Sequence, residues 1–235
     1  MSTLTAKEAW RERMRAQRHI RPHVNPLQNQ YTDATLPENF AASAFAAPLP
    51  LHVDIGCGKG HFCADLATAR PDLNVLGIEI REPLVLEATR LAAETRARNL
   101  CFLAGSANAL LAPAIDALGA ANHPLASASI QFPDPWPKAR HAKRRVTTAP
   151  LVAALAERLP SGGTVLLQSD LLWLAEEMRA AFAAHPNFSC DGRWLTEEER
   201  PFPIATERER QAARRGIAVH RSRRGTVHVE DAAQI

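Results

Sequence analysis

The stretch "LHVDIGCGKG", residues 51–60, decides how this chain folds. Its first half is a short apolar run, the pattern of a buried strand, and its second half carries Gly56, Gly58 and Gly60. Glycines at such a junction let the backbone turn tightly and let a ligand approach the main chain. "HFCADLATAR" follows from residue 61, with Phe62, Leu66 and Ala69 at near-helical spacing, and "PD" stops it. Strand, glycine turn and helix in that order open an α/β unit.

Working outward, the same alternation repeats. "NVLGIEI" reads as the second strand, and a helix over 83–97 starts with Pro83 in its first turn. "LCFLAGS" is the third strand, with a helix over roughly 109–119 behind it, and "SASIQF" is the fourth. A helix over roughly 147–159, a fifth strand in "GGTVLLQSD" and a helix over roughly 171–184 come next, then weaker strand signals near 187–194 and 217–229. Upstream, residues 1–48 are basic and then polar, and read as a short helix near 5–18 followed by an extended arm. The organisation expected is a basic N-terminal arm, 1–48, and one α/β domain, 49–235. Its sheet is mostly parallel with helices on both faces. Ligands of open sheets bind beyond the carboxyl ends of the strands. Asp54, Glu79, Ser106, Asp134 and Asp170 all fall at or just past predicted strand ends, so they are expected to line one crevice.

Bulk properties narrow the class. The chain has 235 residues, 46% hydrophobic and 23% charged, enough to bury one core. Four cysteines, at 57, 63, 101 and 190, form no CxxC pair and no metal-ligand spacing. With no apolar leader, this points to a reduced, cytoplasmic chain without a metal. No apolar run reaches the roughly 18 residues that cross a bilayer, so no membrane is expected. The formal net charge is only +3, but the cations are clustered. Residues 7–21 carry six Lys/Arg against two acids, 138–145 carry five against none, and 208–224 carry seven arginines against Glu209. Each cluster reads either as solvated surface or as part of one face that meets a polyanion.

The glycine turn differs from a dinucleotide fingerprint. In GxGxxG the third glycine stands one place later, where this chain has His61. Asp54 would also repel a pyrophosphate, by roughly 4 kcal/mol for unit charges at 4 Å and an effective dielectric of 20. A nucleoside with a cationic, phosphate-free tail suits it better, and S-adenosylmethionine is such a ligand. Glu79 can accept hydrogen bonds from ribose hydroxyls, a role that would serve NAD equally. Ser106 and Asn108 have two readings, contact with an adenine edge or capping of the next helix.

"QFPDPWPKARHAKRR", residues 131–145, sets Asp134 between prolines and follows it with Lys138, Arg140, Lys143, Arg144 and Arg145. Proline fixes φ and lacks an N–H, so this is a rigid turn. The acid–GxGxG–acid layout resembles the class I S-adenosylmethionine-dependent methyltransferases, which implies a Rossmann-like seven-stranded sheet with an antiparallel last strand. "FPDPWPKARHAKRR" resembles the signature of the tRNA (guanine-N7)-methyltransferase family. "QSD" at 168–170, "TERE" at 206–209 and "RPHVNPL" in the arm are further points of likeness. The resemblance spans roughly 51–224. It implies methyl transfer from S-adenosylmethionine to guanine N7 in tRNA, at position 46 of the variable loop, by a monomer or homodimer.

Residue by residue, the resemblance implies cofactor contacts at Asp54, Gly56, Gly58, Gly60, Glu79, Ser106, Asn108 and Asp134. It implies substrate contacts at Lys138, Asp170, Thr206, Glu207, Arg208 and Glu209. Many relatives carry Asp or Asn where Ser106 stands, and an aromatic where Arg208 stands. Guanine N7 offers a free lone pair, so no base is needed; the site must supply position and charge stabilisation. Asp134 is cast as the catalytic group that orients guanine and stabilises the arriving positive charge. Lys138, Arg140, Lys143, Arg144 and Arg145 are expected to contact phosphates. Trp136 has two readings, stacking on a base or packing against the prolines. His141 is expected to add a polar contact. The rival functions are methylation of another RNA or a small metabolite, a non-catalytic RNA-binding relative, and an NAD-linked oxidoreductase.

Overall fold

The computed structural model describes residues 24–189 and 192–226. Among these residues seven strands form one sheet: β1 Leu51–Ile55, β2 Asn74–Glu79, β3 Leu100–Ala104, β4 Leu125–Gln131, β5 Thr164–Ser169, β6 Phe188–Ser189 and β7 His220–Thr226. Their spatial order is β3-β2-β1-β4-β5-β7-β6. The first five pair in parallel, and β7 runs antiparallel to both β5 and β6. Strand order reverses between β1 and β4, and a crevice opens at such a switch point beyond the strand tips. The mostly parallel sheet expected from the alternation, and the seven-stranded Rossmann-like form that the resemblance implies, are both observed.

Among the described residues, six helices of eight residues or more accompany the sheet: α1 His61–Ala69, α2 Glu82–Thr95, α3 Ala107–Ala120, α4 Ala149–Arg158, α5 Leu172–Ala183 and α6 Glu207–Arg214. Every residue of β1 and β2 is buried, as parallel strands covered on both faces require. Alternate residues serve opposite faces. Val165 and Leu167 join one core with residues of α3, α4 and α5, while Leu166 joins a second with Phe62, Leu66 and Phe202. In β1 this puts Leu51, Val53 and Ile55 in the first core and turns His52 toward the rings of Phe62 and Phe202 on the other face.

Three sequence expectations need adjustment. Of the strand signal over 187–194, the described residues hold only Phe188–Ser189 as strand, and 192–194 are bend and coil. Helix α6 was not expected as a helix; a Thr206–Glu209 capping box starts it. Residues 34–45, assigned to an extended arm, hold a short helix, Phe40–Ala44, and place Phe40 in the first core. The helix expected over 5–18, Cys190 and the strand end at 227–229 lie outside the described residues.

Candidate active site

Asp54 stands near the tip of β1 and is 3% exposed. Its Oδ1 accepts from Ser129 Oγ at 2.6 Å and Gln131 Nε2 at 3.0 Å, and its Oδ2 from Cys63 Sγ at 3.5 Å. Ser129 and Gln131 arrive because β4 pairs beside β1 in a register that puts Ser129 opposite Asp54, and Cys63 comes from the helix after the glycine turn. Burial pushes the carboxyl's pKa up, the three donors pull it back, and the nearby Glu79 charge adds to the rise. A cation arriving at this acid therefore finds a charge already disfavoured by its surroundings, which strengthens the attraction.

The glycine turn is held from behind. Gly56 and Cys57 donate their N–H groups to Ile78 O at 2.8 and 3.2 Å, Gly60 donates to Cys57 O, and Gly58 donates to Glu79 Oε2 at 3.0 Å. A pyrophosphate cradle needs free amides, and these four are spent inside the protein. Cβ atoms built on Gly56 and Gly58 would meet nothing within 4 Å, so the turn faces open space into which a ligand can come. At Gly60 the constraint is internal: φ is +76° and a Cβ would lie 2.5 Å from the Phe102 ring.

Glu79 ends β2, 3% exposed. Besides Gly58, its carboxylate accepts from the Arg81 backbone N–H at 2.9 Å and from Arg81 Nε and Nη2 at 2.9 and 3.2 Å. Burial opposes the Arg81 charge, but Glu79, with Asp134 further off, raises its pKa. Beyond β3, Ser106 is buried at the start of α3, and its side chain makes no cap bond. Asn108 is occupied: its amide donates to Val146 O at 3.1 Å and its carbonyl accepts from Thr148 Oγ1. Asn108 thus clips the segment after the proline turn to α3.

The proline turn follows β4. Phe132 and Trp136, one on each side of Asp134, take positive φ of 48° and 42°. Each costs of the order of 1–3 kcal/mol for a non-glycine residue, so the surroundings must impose them. Phe132 N–H donates to Gln168 O at 2.8 Å, anchoring the turn to β5. Trp136 packs edge-on against His141 at 5.7 Å and carries the Arg144 guanidinium 4.9 Å over its ring. Its ring has His141 and Arg144 among its partners, and Trp136 also lines a cleft.

Two clefts meet at this turn. One, with a cavity of about 120 Å³, is lined by Glu79, Ser106 and Asn108, by Arg144, and by Val24 and Pro26 of the arm. The other is lined by Asp54, Lys59, Asp170, Thr206, Glu207 and Arg208. Gly56, Phe132, Pro133 and Asp134 line both. Asp134 therefore stands where the contents of one cleft face the contents of the other.

A family model described as "Putative methyltransferase" matches residues 48–222. A curated "tRNA (guanine-N(7)-)-methyltransferase" of Thermosynechococcus vestitus is 44% identical over 203 residues, 86% of this chain and 92% of the relative. One of the same name from Microcystis aeruginosa is 43% identical, covering 86% and 95%. The chain belongs to the tRNA (guanine-N7)-methyltransferase family. Among solved structures, a 16S rRNA (adenine(1408)-N(1))-methyltransferase from Catenulisporales acidiphilia, with cosubstrate SAM, aligns at TM-score 0.54 and 16% identity. It covers 83% of this chain and 94% of its own, and the likeness is one of fold.

In this family member not every expected site residue reaches a cleft. Glu209 is 4% exposed and binds Arg221 Nη2 at 3.0 Å and the Thr206 N–H at 2.6 Å, so it holds α6 to β7. Thr206 spends its hydroxyl on the Glu209 N–H, while its edge lines the second cleft. Arg208 reaches across that cleft to Asp170, with Nη2 to Oδ2 at 2.6 Å. Lys138 and Arg140 are exposed. Arg145, expected at phosphates, is turned inward, with side-chain exposure of 12%. The 208–224 cluster also divides, for Arg221 and Arg224 are buried. Sequence reading missed Val24, Pro26 and Arg81 as lining, and His52, whose Nε2 lies 3.0 Å from Ser129 Oγ. A histidine two residues before Asp54 in the same short strand was the available signal.

Proposed function

We infer that the protein transfers a methyl group to N7 of a guanine in tRNA, as its family membership indicates, with S-adenosylmethionine as the donor. S-adenosylmethionine supplies the methyl on a cationic sulfur. The observation that carries the reading is Asp134, held in a strained turn where the two clefts meet. The first cleft is assigned to the nucleoside: Glu79 accepts from ribose hydroxyls in place of Arg81, and Ser106 offers a hydroxyl to the base. The open face of Gly56 and Gly58, with Asp54 beneath, is assigned to the cationic tail. The spent amides of the turn support this over a dinucleotide.

The second cleft is assigned to guanine. Asp134 accepts from N1–H and the 2-amino group, a donor pair no other base presents, and its charge favours the positive purine that forms. No proton leaves N7, so no base is assigned. Asp170, Thr206, Glu207 and Arg208 border the nucleotide, and Lys138, Arg140 and Lys143 are assigned to phosphates. The target is proposed as the variable-loop guanine, position 46, and the arm up to residue 48 is proposed as a flank that closes the nucleoside cleft through Val24 and Pro26. Incubation of unmodified tRNA with methyl-labelled S-adenosylmethionine, followed by nucleotide mapping, tests this. Label in 7-methylguanine of the variable loop is expected; label in another base sinks the assignment.

A further inference from the structure

Arg145 closes the basic run, yet all three of its guanidinium nitrogens have partners inside the protein. Nε donates to Pro135 O and Nη2 to Trp136 O, both at 3.0 Å, and Nη1 pairs with Glu177 on α5. The guanidinium also lies 5.0 Å over the Trp173 ring. The two carbonyls belong to the residues immediately after Asp134, and Trp136 is one of the two positive-φ residues of the turn. Trp136 precedes Pro137, which has no N–H, so the backbone there has one donor fewer with which to stabilise itself. The planar fork of an arginine can bridge two neighbouring carbonyls while a carboxylate holds its other edge; a lysine cannot.

We propose that Arg145, fixed by Glu177, is a positioning residue that holds the Asp134 turn in its strained form, and is not a contact to RNA phosphate. The Nε–Nη2 edge is taken by the two carbonyls, so a phosphate binding that edge would have to displace them. The proposal rests on the reading of Asp134 as the group that faces guanine. It makes the end of the basic run part of the catalytic scaffold and leaves phosphate contact to the exposed cations before it.

The test compares Arg145→Ala, Arg145→Lys and Glu177→Gln in the full chain, measuring kcat, KM for tRNA and the salt dependence of tRNA binding. Arg145→Ala is expected to lower kcat, by on the order of 100-fold for a misplaced reacting group, with the slope of log Kd against log salt unchanged. Arg145→Lys is expected not to restore kcat, since it keeps the charge and loses the fork. Glu177→Gln is expected to lower kcat without tightening RNA binding; being a change on an exposed helix face, it decides the matter if the Arg145 variants do not fold. A slope reduced by about one with kcat retained, or full turnover in Arg145→Lys, overturns the proposal. Asp134→Asn is run in parallel: full turnover there removes the parent reading, whereas the salt slopes judge the clamp by themselves.

Discussion

Ser129 has a single proton to give, and its geometry sets the protonation of its neighbours. Its Oγ donates to Asp54 at 2.6 Å, so it accepts from His52 Nε2 at 3.0 Å. His52 is then neutral with its proton on Nε2, and Nδ1 accepts from Ser127 Oγ at 2.9 Å. Burial agrees, lowering the His52 pKa from 6.5 to about 3. The unfolded chain takes up this proton first, so stability is lost as pH falls from 6.5 toward about 3, by at most about 1.4 kcal/mol per unit. Asp54 has the opposite sign, since a raised carboxyl pKa favours the protonated folded form. Comparing wild type with His52→Gln in urea melts from pH 7 to about 5 isolates the imidazole. The variant is expected to be less stable at pH 7 and to lose less on acidification; parallel curves would place the titration elsewhere. For Asp134→Ala, turnover is expected to fall by roughly 100- to 1,000-fold, the scale of a lost charge-stabilising group, with cofactor affinity by calorimetry nearly unchanged. Unchanged turnover removes Asp134 from its role.

Helix α6 shows how an element is held by charges the sequence presents as surface. Its moiety "TERE" looks like an exposed, substrate-facing motif, and half of it is. Thr206 and Glu209 form the reciprocal cap, and Glu209 also holds the buried Arg221 of β7, with Arg200 Nη1 at 3.5 Å. Removing Glu209 leaves Arg221 buried without its carboxylate, a loss expected at about 3–5 kcal/mol. Chemical denaturation of Glu209→Ala checks this, and a loss under about 1 kcal/mol would mean the pair is solvated. Glu207 and Arg208, exposed on the cleft side of the same turn, are expected to change tRNA KM while leaving stability within about 0.5 kcal/mol.

At the scale of the molecule, the even overall charge hides an uneven surface. Lys138, Arg140 and Lys143 are exposed beside the turn, whereas Arg145, Arg221 and Arg224 face inward. Charge reversal of the three exposed residues is expected to weaken tRNA binding and to reduce the salt slope by roughly two to three. Filter-binding titrations across salt concentrations measure it; an unaltered slope means that these cations face away from RNA. No helix among the described residues is long and apolar enough to cross a membrane, and no cluster of His, Cys, Asp or Glu there could hold a metal ion.

The sequence by itself determined the sheet, its glycine turn and the acids at its strand tips, because these depend on short-range patterns: alternation, turn chemistry and residue type at the end of an apolar run. "LHVDIGCGKG" and "NVLGIEI" needed no partner to be read as strands. Only the tertiary structure decided which charges meet water. Arg140 and Arg145 are equivalent in a basic run, yet one is exposed and the other is spent on the carbonyls of Pro135 and Trp136, since the outcome depends on Glu177, 32 residues away. Glu207 and Glu209 part in the same way at Arg221. Long-range pairing of a buried charge leaves no local mark, and that is where the reading from residues alone stopped.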